Sequence, residues 1–265
     1  MARQPLDASW FDFNKPVESL RARLTPFADP GYREFFRNAL PKNCCDLYGI
    51  RVGVVRQIVD EILSLDGERA LDAFLFPPKS KSRRKRATPD FLEERLAIAF
   101  LLGKAKIPFD KRLSALAAYL PLVDSWAICD ELCAAVKPKP DELPAHWEFL
   151  NFCLSSDAPY YRRVGLVFML KRFLNESYIG AVLDRVEDLA PKVDHSTVSF
   201  GIAWLLCEAF IKRPDETLRY LKDNSLDDQT MNRAIRKISE SHRVDDETKR
   251  ELQETLTRPI ARKKS

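Results

Sequence analysis

Two residues four positions apart, Trp126 and Asp130, form the first pattern that could do chemistry. A spacing of four stacks two side chains on one face of a helix, so the indole and the carboxylate would lie side by side. An indole face attracts cations, and a carboxylate brings a full negative charge next to it. We therefore treat the pair as a candidate site on a helix surface.

Three further residues lie at a regular distance from this pair. Arg162 and Arg163 are near the start of a strongly apolar segment, with Arg163 37 residues after Trp126, and Trp204 follows 41 residues later. Taken singly, each has an ordinary structural explanation, because a helical Trp is usually core and an Arg pair usually meets solvent or an acidic partner. Their recurrence at one period is what makes them candidates together.

A basic run interrupts the chain between two apolar segments. Six of the eight residues from 79 to 86 are basic: Lys79, Lys81, Arg83, Arg84, Lys85 and Arg86. Two prolines precede the run, so we predict an exposed loop insertion over 77–88, and we predict a basic flexible tail over 257–265. The formal net charge of the whole chain is +4, and it would be −6 without the ten basic residues of these two segments, so the basic character is concentrated in them. That concentration favours a polyanionic partner, although a solvated loop or a localisation signal has the same composition.

Composition argues against a disordered chain, a fold that binds phosphates with glycine-rich turns, a metalloprotein and an exported or membrane protein. A chain of 265 residues with 45% apolar residues is long and apolar enough to fold, and eight glycines are few for a fold that grips phosphates with glycine-rich turns. The six cysteines contain no CxxC pair and the three histidines are scattered, so we expect reduced thiols, no metal site and no cofactor. No export signal or membrane-spanning run is visible, so we expect a cytoplasmic protein.

Apolar residues recur at spacings of three and four almost throughout, which is the period of helices that bury one broad face. Prolines followed by acidic residues mark several helix starts, as at Pro140 and Pro214. The pattern predicts helices at about 17–28, 31–40, 52–65, 68–76, 89–103, 110–120, 124–136, 141–154, 159–174, 176–190, 196–212, 215–223, 227–241 and 245–256.

Paired helices with a period near 40 residues predict an all-α, HEAT-like helical-repeat solenoid, an α-α superhelix with one concave groove. We expect residues 1–265 to form a single domain of this kind, and an irregular helical bundle is the alternative. Gly165 and Gly201 fall inside apolar helices, where glycine is unfavourable, so each predicts a close approach of two helices.

The chain resembles the AlkD-type DNA alkylation repair glycosylases over about Leu47–Lys222. Four segments carry the resemblance in order and spacing: a Gly-Ile segment at 47–58, the Trp-x-x-x-Asp motif at 125–130, an Arg-bearing helix at 160–170 and a Gly-Trp helix at 201–208. The departures are Ala127, where the family often has Asp, and Phe200 and Cys207, where better-known members carry basic residues.

The resemblance implies that the chain removes N3- or N7-alkylated purines from DNA by hydrolysing the N-glycosidic bond, as a monomer acting on alkylated double-stranded DNA in base excision repair. Asp130 would be the essential carboxylate, Trp126 and Trp204 the aromatic walls beside the damaged nucleotide, and Arg163, next to Arg162, the contact to the DNA backbone. The protein would associate with the nucleoid when bound to DNA.

Two other functions fit the same architecture, a DNA-binding solenoid without catalysis and a protein scaffold. The glycosylase hypothesis predicts that Trp126, Asp130, Arg163 and Trp204 converge on the concave surface, with both indoles partly exposed.

Overall fold

The computed structural model describes residues 8–77, 87–193 and 195–259. They form two compact units, Met1–His146 and Trp147–Ser265. The basic run from Lys79 to Arg86 and the tail beyond Pro259 lie outside the described residues.

Within these residues the chain forms thirteen α-helices and one isolated β-bridge, between Asp46 and Phe91. The all-α, helical-repeat fold class is thereby confirmed, whereas the single-domain organisation stays a prediction. The helices are α1 (Pro16–Leu24), α2 (Pro30–Arg37), α3 (Val52–Leu75), α4 (Leu92–Lys104), α5 (Phe109–Tyr119), α6 (Trp126–Ala135), α7 (Leu143–Ser155), α8 (Pro159–Arg172), α9 (Ile179–Leu189), α10 (Ser196–Lys212), α11 (Pro214–Lys222), α12 (Asp228–Ser239) and α13 (Asp246–Leu256).

Two of the differences between the observed and the predicted helix bounds have clear local causes. The two helices predicted at 52–65 and 68–76 are continuous in α3 except at Asp66, where φ is −154° and ψ is 97°. The Asp66 carboxylate accepts a hydrogen bond from the Arg69 amide at 3.0 Å, so it caps the second half of the helix. Helix α4 begins three residues later than predicted, because Phe91 is extended and Leu92 donates its amide to the Asp46 carbonyl at 2.7 Å.

Helix α4 is the centre of the first unit and packs against α1, α3, α5 and α6. Its segment Leu96–Leu102 is almost wholly buried. Such an all-round apolar helix takes its stability from tertiary packing more than from its own propensity.

Two buried carboxylates in the first turn of α4 organise the chain that enters α3. The Glu93 carboxylate accepts hydrogen bonds from the amides of residues 48, 49 and 50 at 2.9–3.0 Å. Burial raises the pKa of the Glu93 carboxyl, and these amides act in the opposite direction. Gly49 has φ of +84°, and a Cβ there would lie 2.4 Å from the Asp29 carbonyl oxygen, so only glycine fits the turn.

Glu94 ties the same turn to α1. Its carboxylate receives the Arg21 guanidinium at 2.7 and 3.1 Å and the Tyr48 hydroxyl at 2.7 Å. Burial, together with this carboxylate, raises the pKa of the Tyr48 hydroxyl, so the phenol stays protonated and serves as the donor.

In the second unit α10 packs between α8 and α12, so alternate helices lie side by side as in stacked helical repeats. Helix α13 packs on α12, and α11 contacts α9 and α10. The predicted close approaches at Gly165 and Gly201 are confirmed. A Cβ on Gly165 would meet the Leu154 side chain at 2.7 Å, and one on Gly201 would meet Leu166 at 3.1 Å.

Helices α4 and α6 approach closely at Gly103, where α4 meets the end of α6. A Cβ at this position would lie 2.5 Å from the carbonyl oxygen of Ala135. Because the obstacle is backbone, a side-chain rotation cannot relieve the clash.

We therefore expect Gly103→Ala to lower the free energy of unfolding by about 1–3 kcal/mol, since α4 and α6 must move apart. The control is Gly53→Ala, at a helical glycine with no atom within 4 Å of the added Cβ. It should leave stability unchanged or raise it by up to about 1 kcal/mol. Urea unfolding of both variants measures the difference, and equal midpoints would contradict the packing described for α4 and α6.

Candidate nucleic-acid interface

The Trp126 and Asp130 pair lies at the start of α6, as the spacing predicts. Ser125 caps the helix, and its buried hydroxyl accepts from the Ile128 amide at 3.5 Å. Ile128, Cys129 and Leu132 bury the opposite face, which leaves Trp126 37% exposed and Asp130 half-buried. The apolar face thus orients the indole and the carboxylate away from the core.

Helix α2 supports the Trp126 ring. The indole N–H donates to the Ala39 carbonyl at 3.0 Å, and the Phe36 ring meets the indole edge-on with centroids 6.0 Å apart. Tyr32 stacks on Phe36 at 5.7 Å and carries the Arg51 guanidinium 3.8 Å from its own centroid. Sequence reasoning assigned no role to the first 45 residues, yet aromatic residues at positions 32, 35 and 36 share the spacing of one helix face and were a usable signal.

The residue before the helix cap fixes where α6 begins. One carboxylate oxygen of Asp124 accepts both the Cys45 amide and the Arg95 guanidinium at 2.7 Å. Arg95 also donates to the carbonyls of Pro89 and Leu122 at 2.8 and 2.9 Å. This arrangement joins the start of α6 to α4 and to the segment that follows α2.

The two candidate arginines lie on α8 and are buried. Arg162 donates to the Ser156 carbonyl at 2.6 Å and the Lys192 carbonyl at 3.0 Å, and it pairs with Asp157 at 3.2 Å. Arg163 is 7% exposed and donates to the Thr197 carbonyl at 3.3 Å. Both guanidinium groups take part in packing α8, and their predicted role at the DNA backbone stays a prediction.

Trp204 lies half-buried on α10 with a cation already on its ring. The Lys171 ammonium of α8 is 4.9 Å from the ring centroid, which is within the range of a cation–π contact. Trp204 also lines an open cleft of about 420 Å³ that includes Glu208, Lys237 and Arg243. Both candidate indoles are therefore partly exposed, as the sequence predicts.

A paired carboxylate lies beside Trp204 in this cleft. Arg243 donates to both Glu208 oxygens at 2.6 and 3.1 Å, and this pairing is the main reason that the pKa of the Glu208 carboxyl is lowered. A smaller lowering of the Glu208 pKa comes from the Trp204 indole N–H.

Comparison with protein families places residues 18–238 within one family, that of DNA alkylation repair enzymes. The chain belongs to this family. Comparison with individual curated proteins gives no significant match. Membership gives the chain a role in DNA alkylation repair and agrees with the resemblance read from the four sequence segments.

A repair enzyme could use a thiol nucleophile or a metal ion, and the described residues provide little for either. Burial raises the pKa of the Cys207 thiol to about 11, so this cleft residue stays protonated at neutral pH and is a poor nucleophile. In the parts of the chain that the structure describes, no three His, Cys, Asp or Glu side chains are grouped to hold a metal ion. No helix over the same residues is long and apolar enough to cross a membrane.

The structure thus brings Trp126 and Asp130 together on α6 and puts Arg163 and Trp204 on the adjacent helices α8 and α10. The predicted convergence of the two pairs on one surface stays a prediction. The six basic residues of the 79–86 run lie outside the described residues.

The ion pair between Asp124 and Arg95, which positions the start of α6, leads to a prediction about stability. Asp124→Asn keeps the shape of the side chain but removes the charge that faces Arg95, whose side chain is only 16% exposed. We expect a loss of about 1–3 kcal/mol in the free energy of unfolding. Asp141→Asn, at an exposed position, is the control and should change stability by less than about 0.5 kcal/mol. Urea unfolding tests both variants, and an unchanged Asp124→Asn protein would show that α6 is positioned without this ion pair.

Proposed function

We propose that the protein is a DNA glycosylase that excises N3- or N7-alkylated purines in base excision repair. The observation that carries the proposal is the exposed indole of Trp126 one helical turn from the Asp130 carboxylate, in a member of the DNA alkylation repair family. The reaction is hydrolysis of the N-glycosidic bond, which releases the alkylated base and leaves an abasic site.

The chemistry suits a carboxylate that acts without a strong general acid. Alkylation at N3 or N7 gives the purine a positive charge, so the base departs as a neutral molecule. The sugar then develops oxocarbenium character, and a fixed carboxylate stabilises that charge, as in glycoside hydrolysis. Asp130 is assigned this role and also orients the attacking water.

The two indoles are assigned to the substrate. The electron-rich faces of Trp126 and Trp204 favour both the cationic base and the sugar cation. The Lys171 ammonium over Trp204 supports this assignment, since it shows that a cation is accommodated against that ring. A cationic lesion would either displace Lys171 or use a part of the ring that Lys171 leaves uncovered.

DNA contacts are assigned to the basic residues. Arg163, Arg162 and the run from Lys79 to Arg86 would meet phosphates of alkylated double-stranded DNA, with the protein acting as a monomer and without metal or cofactor. Arg162 must exchange at least one internal carbonyl for a phosphate, so its contribution depends on local rearrangement of α8. The protein would work in the cytoplasm, at the nucleoid.

The role of Trp204 makes a kinetic prediction. An indole that packs on the nucleotide stabilises ground and transition states together. Trp204→Ala should therefore weaken binding to a duplex containing N7-methylguanine and also lower the single-turnover rate of base release, each by about tenfold. The assay separates the released base by chromatography and scores abasic sites on the same duplex.

Phe152→Ala removes an aromatic ring that is more exposed than Trp204 from α7 in the same unit and is the control. It should leave affinity and rate unchanged. Binding of the wild-type protein to the duplex without release of any base would contradict the glycosylase assignment and favour a non-catalytic DNA-binding protein.

A further inference from the structure

A second aromatic ring with a cation on it lies one turn before Trp204 on α10. Phe200 is 55% exposed, and the Arg233 guanidinium of α12 is 4.4 Å from its ring centroid. From the sequence, Phe200 marked the loss of a basic residue that better-known relatives carry. In the structure a positive charge lies at that position all the same, because Arg233 of the neighbouring helix, 33 residues later in the chain, covers the Phe200 ring.

Arg233 is held at the edge of a small polar pocket between the starts of α10 and α12. One of its terminal nitrogens donates to the Ser199 hydroxyl at 2.6 Å, and Ser199 in turn bonds the Thr230 hydroxyl at 2.7 Å. Both hydroxyl residues are at least 98% buried. Two buried hydroxyls therefore fix the direction of a guanidinium group that is itself half-exposed.

The rest of the guanidinium group faces the pocket without an internal acceptor. Within residues 8–77, 87–193 and 195–259, the Arg233 guanidinium has no hydrogen bond or ion pair besides the bond to Ser199. Its Nε and second terminal nitrogen form a fork of N–H donors, the geometry that suits a carboxylate or a phosphate. In sites for single-stranded nucleic acids, basic side chains follow the backbone beside exposed aromatic rings.

The carboxylate of Asp227 would repel an anion bound in this pocket. Asp227 lines the pocket, but its carboxylate is engaged as the cap of α12, where it accepts the Thr230 amide at 3.0 Å. The amides at the two helix starts are likewise used by their caps, since His195 accepts the Thr197 amide. The anion affinity therefore depends on Arg233 and is reduced by Asp227.

We propose that Arg233 binds a phosphodiester of the DNA backbone, with Phe200 against the adjoining sugar. The pocket is open, and its volume of about 90 Å³ gives room for a phosphate group. The position one turn from Trp204 extends the assigned lesion contact to a neighbouring phosphate. The inference rests on DNA being the substrate, as in the proposed function, but it does not depend on catalysis.

The test is binding of the full-length protein to undamaged duplex DNA over a series of salt concentrations. Arg233→Ala should weaken binding about tenfold regardless of sequence and reduce the slope of log K against log salt by about 0.9, which corresponds to one phosphate contact. Ser199 keeps Thr230 as a partner in this variant, so the fold should survive, and a circular dichroism melt confirms it. Arg219→Ala, which removes an exposed cation from α11, is the control for net charge and should change neither quantity.

A second variant tests the opposing charge. Asp227→Asn preserves helix capping but removes the negative charge, so DNA binding should tighten. An Arg233→Ala protein with wild-type affinity and slope would overturn the inference, as would equal effects of Arg233→Ala and Arg219→Ala. If inorganic phosphate at constant ionic strength binds the wild-type protein and not Arg233→Ala, while DNA affinity is the same in both, the ligand is free phosphate and the DNA assignment is wrong.

These outcomes are separate from failure of the proposed function. A protein that releases no alkylated base but loses DNA affinity on Arg233→Ala would retain this inference and lose the glycosylase assignment. One that releases the base and binds DNA equally well without Arg233 would do the reverse.

Discussion

Three consecutive charged residues in the first turn of α4 hold the first unit in place. Glu93 binds the amides that lead into α3, Glu94 binds Arg21 of α1, and Arg95 binds Asp124 at the start of α6. Burying carboxylates is unfavourable unless each oxygen finds donors, and here the amides, a guanidinium and a phenol supply them. The buried helix α4 thus acts as the frame on which three other segments are aligned.

The candidate catalytic pair depends on this frame although α4 contributes no residue to it. Asp124 determines where α6 starts, and the close contact at Gly103 determines how near α6 lies to α4. The carbonyl of Ala39 then fixes the Trp126 indole from the other side. A carboxylate that stabilises a short-lived cation must be held in advance, because reorganisation during the reaction would cancel the benefit. The polar contacts around α6 are consistent with that requirement.

The fold was largely predictable because helices are encoded locally. Spacings of three and four, with prolines and acidic residues at the starts, located nearly every helix to within three residues, and the spacing of Trp126 and Asp130 was enough to put them on one face. The break at Asp66 was anticipated as two helices, since a side chain that caps a helix is also a local signal. The glycines at 165 and 201 marked helix contacts for the same reason.

The surroundings of the site were not predictable, because they come from helices distant in sequence. The residues next to Trp204 in the sequence do not predict that Lys171 lies over its ring. The residues next to Phe200 likewise do not predict that Arg233 lies over the Phe200 ring. From the sequence, Arg162 and Arg163 were expected to meet solvent, an acidic partner or the DNA backbone. The carbonyls that accept their hydrogen bonds belong to residues 6 to 34 positions away. A single sequence without its packing cannot separate a buried arginine from one that meets DNA.

The most direct test of the central claim is the effect of Asp130→Asn on single-turnover release of N7-methylguanine at saturating protein. The variant is nearly isosteric and removes a negative charge from a surface assigned to DNA. The account predicts that the rate of base release falls by about 10²–10³. Affinity for the same duplex should be unchanged or slightly tighter. Release at nearly the wild-type rate would contradict the catalytic role of Asp130.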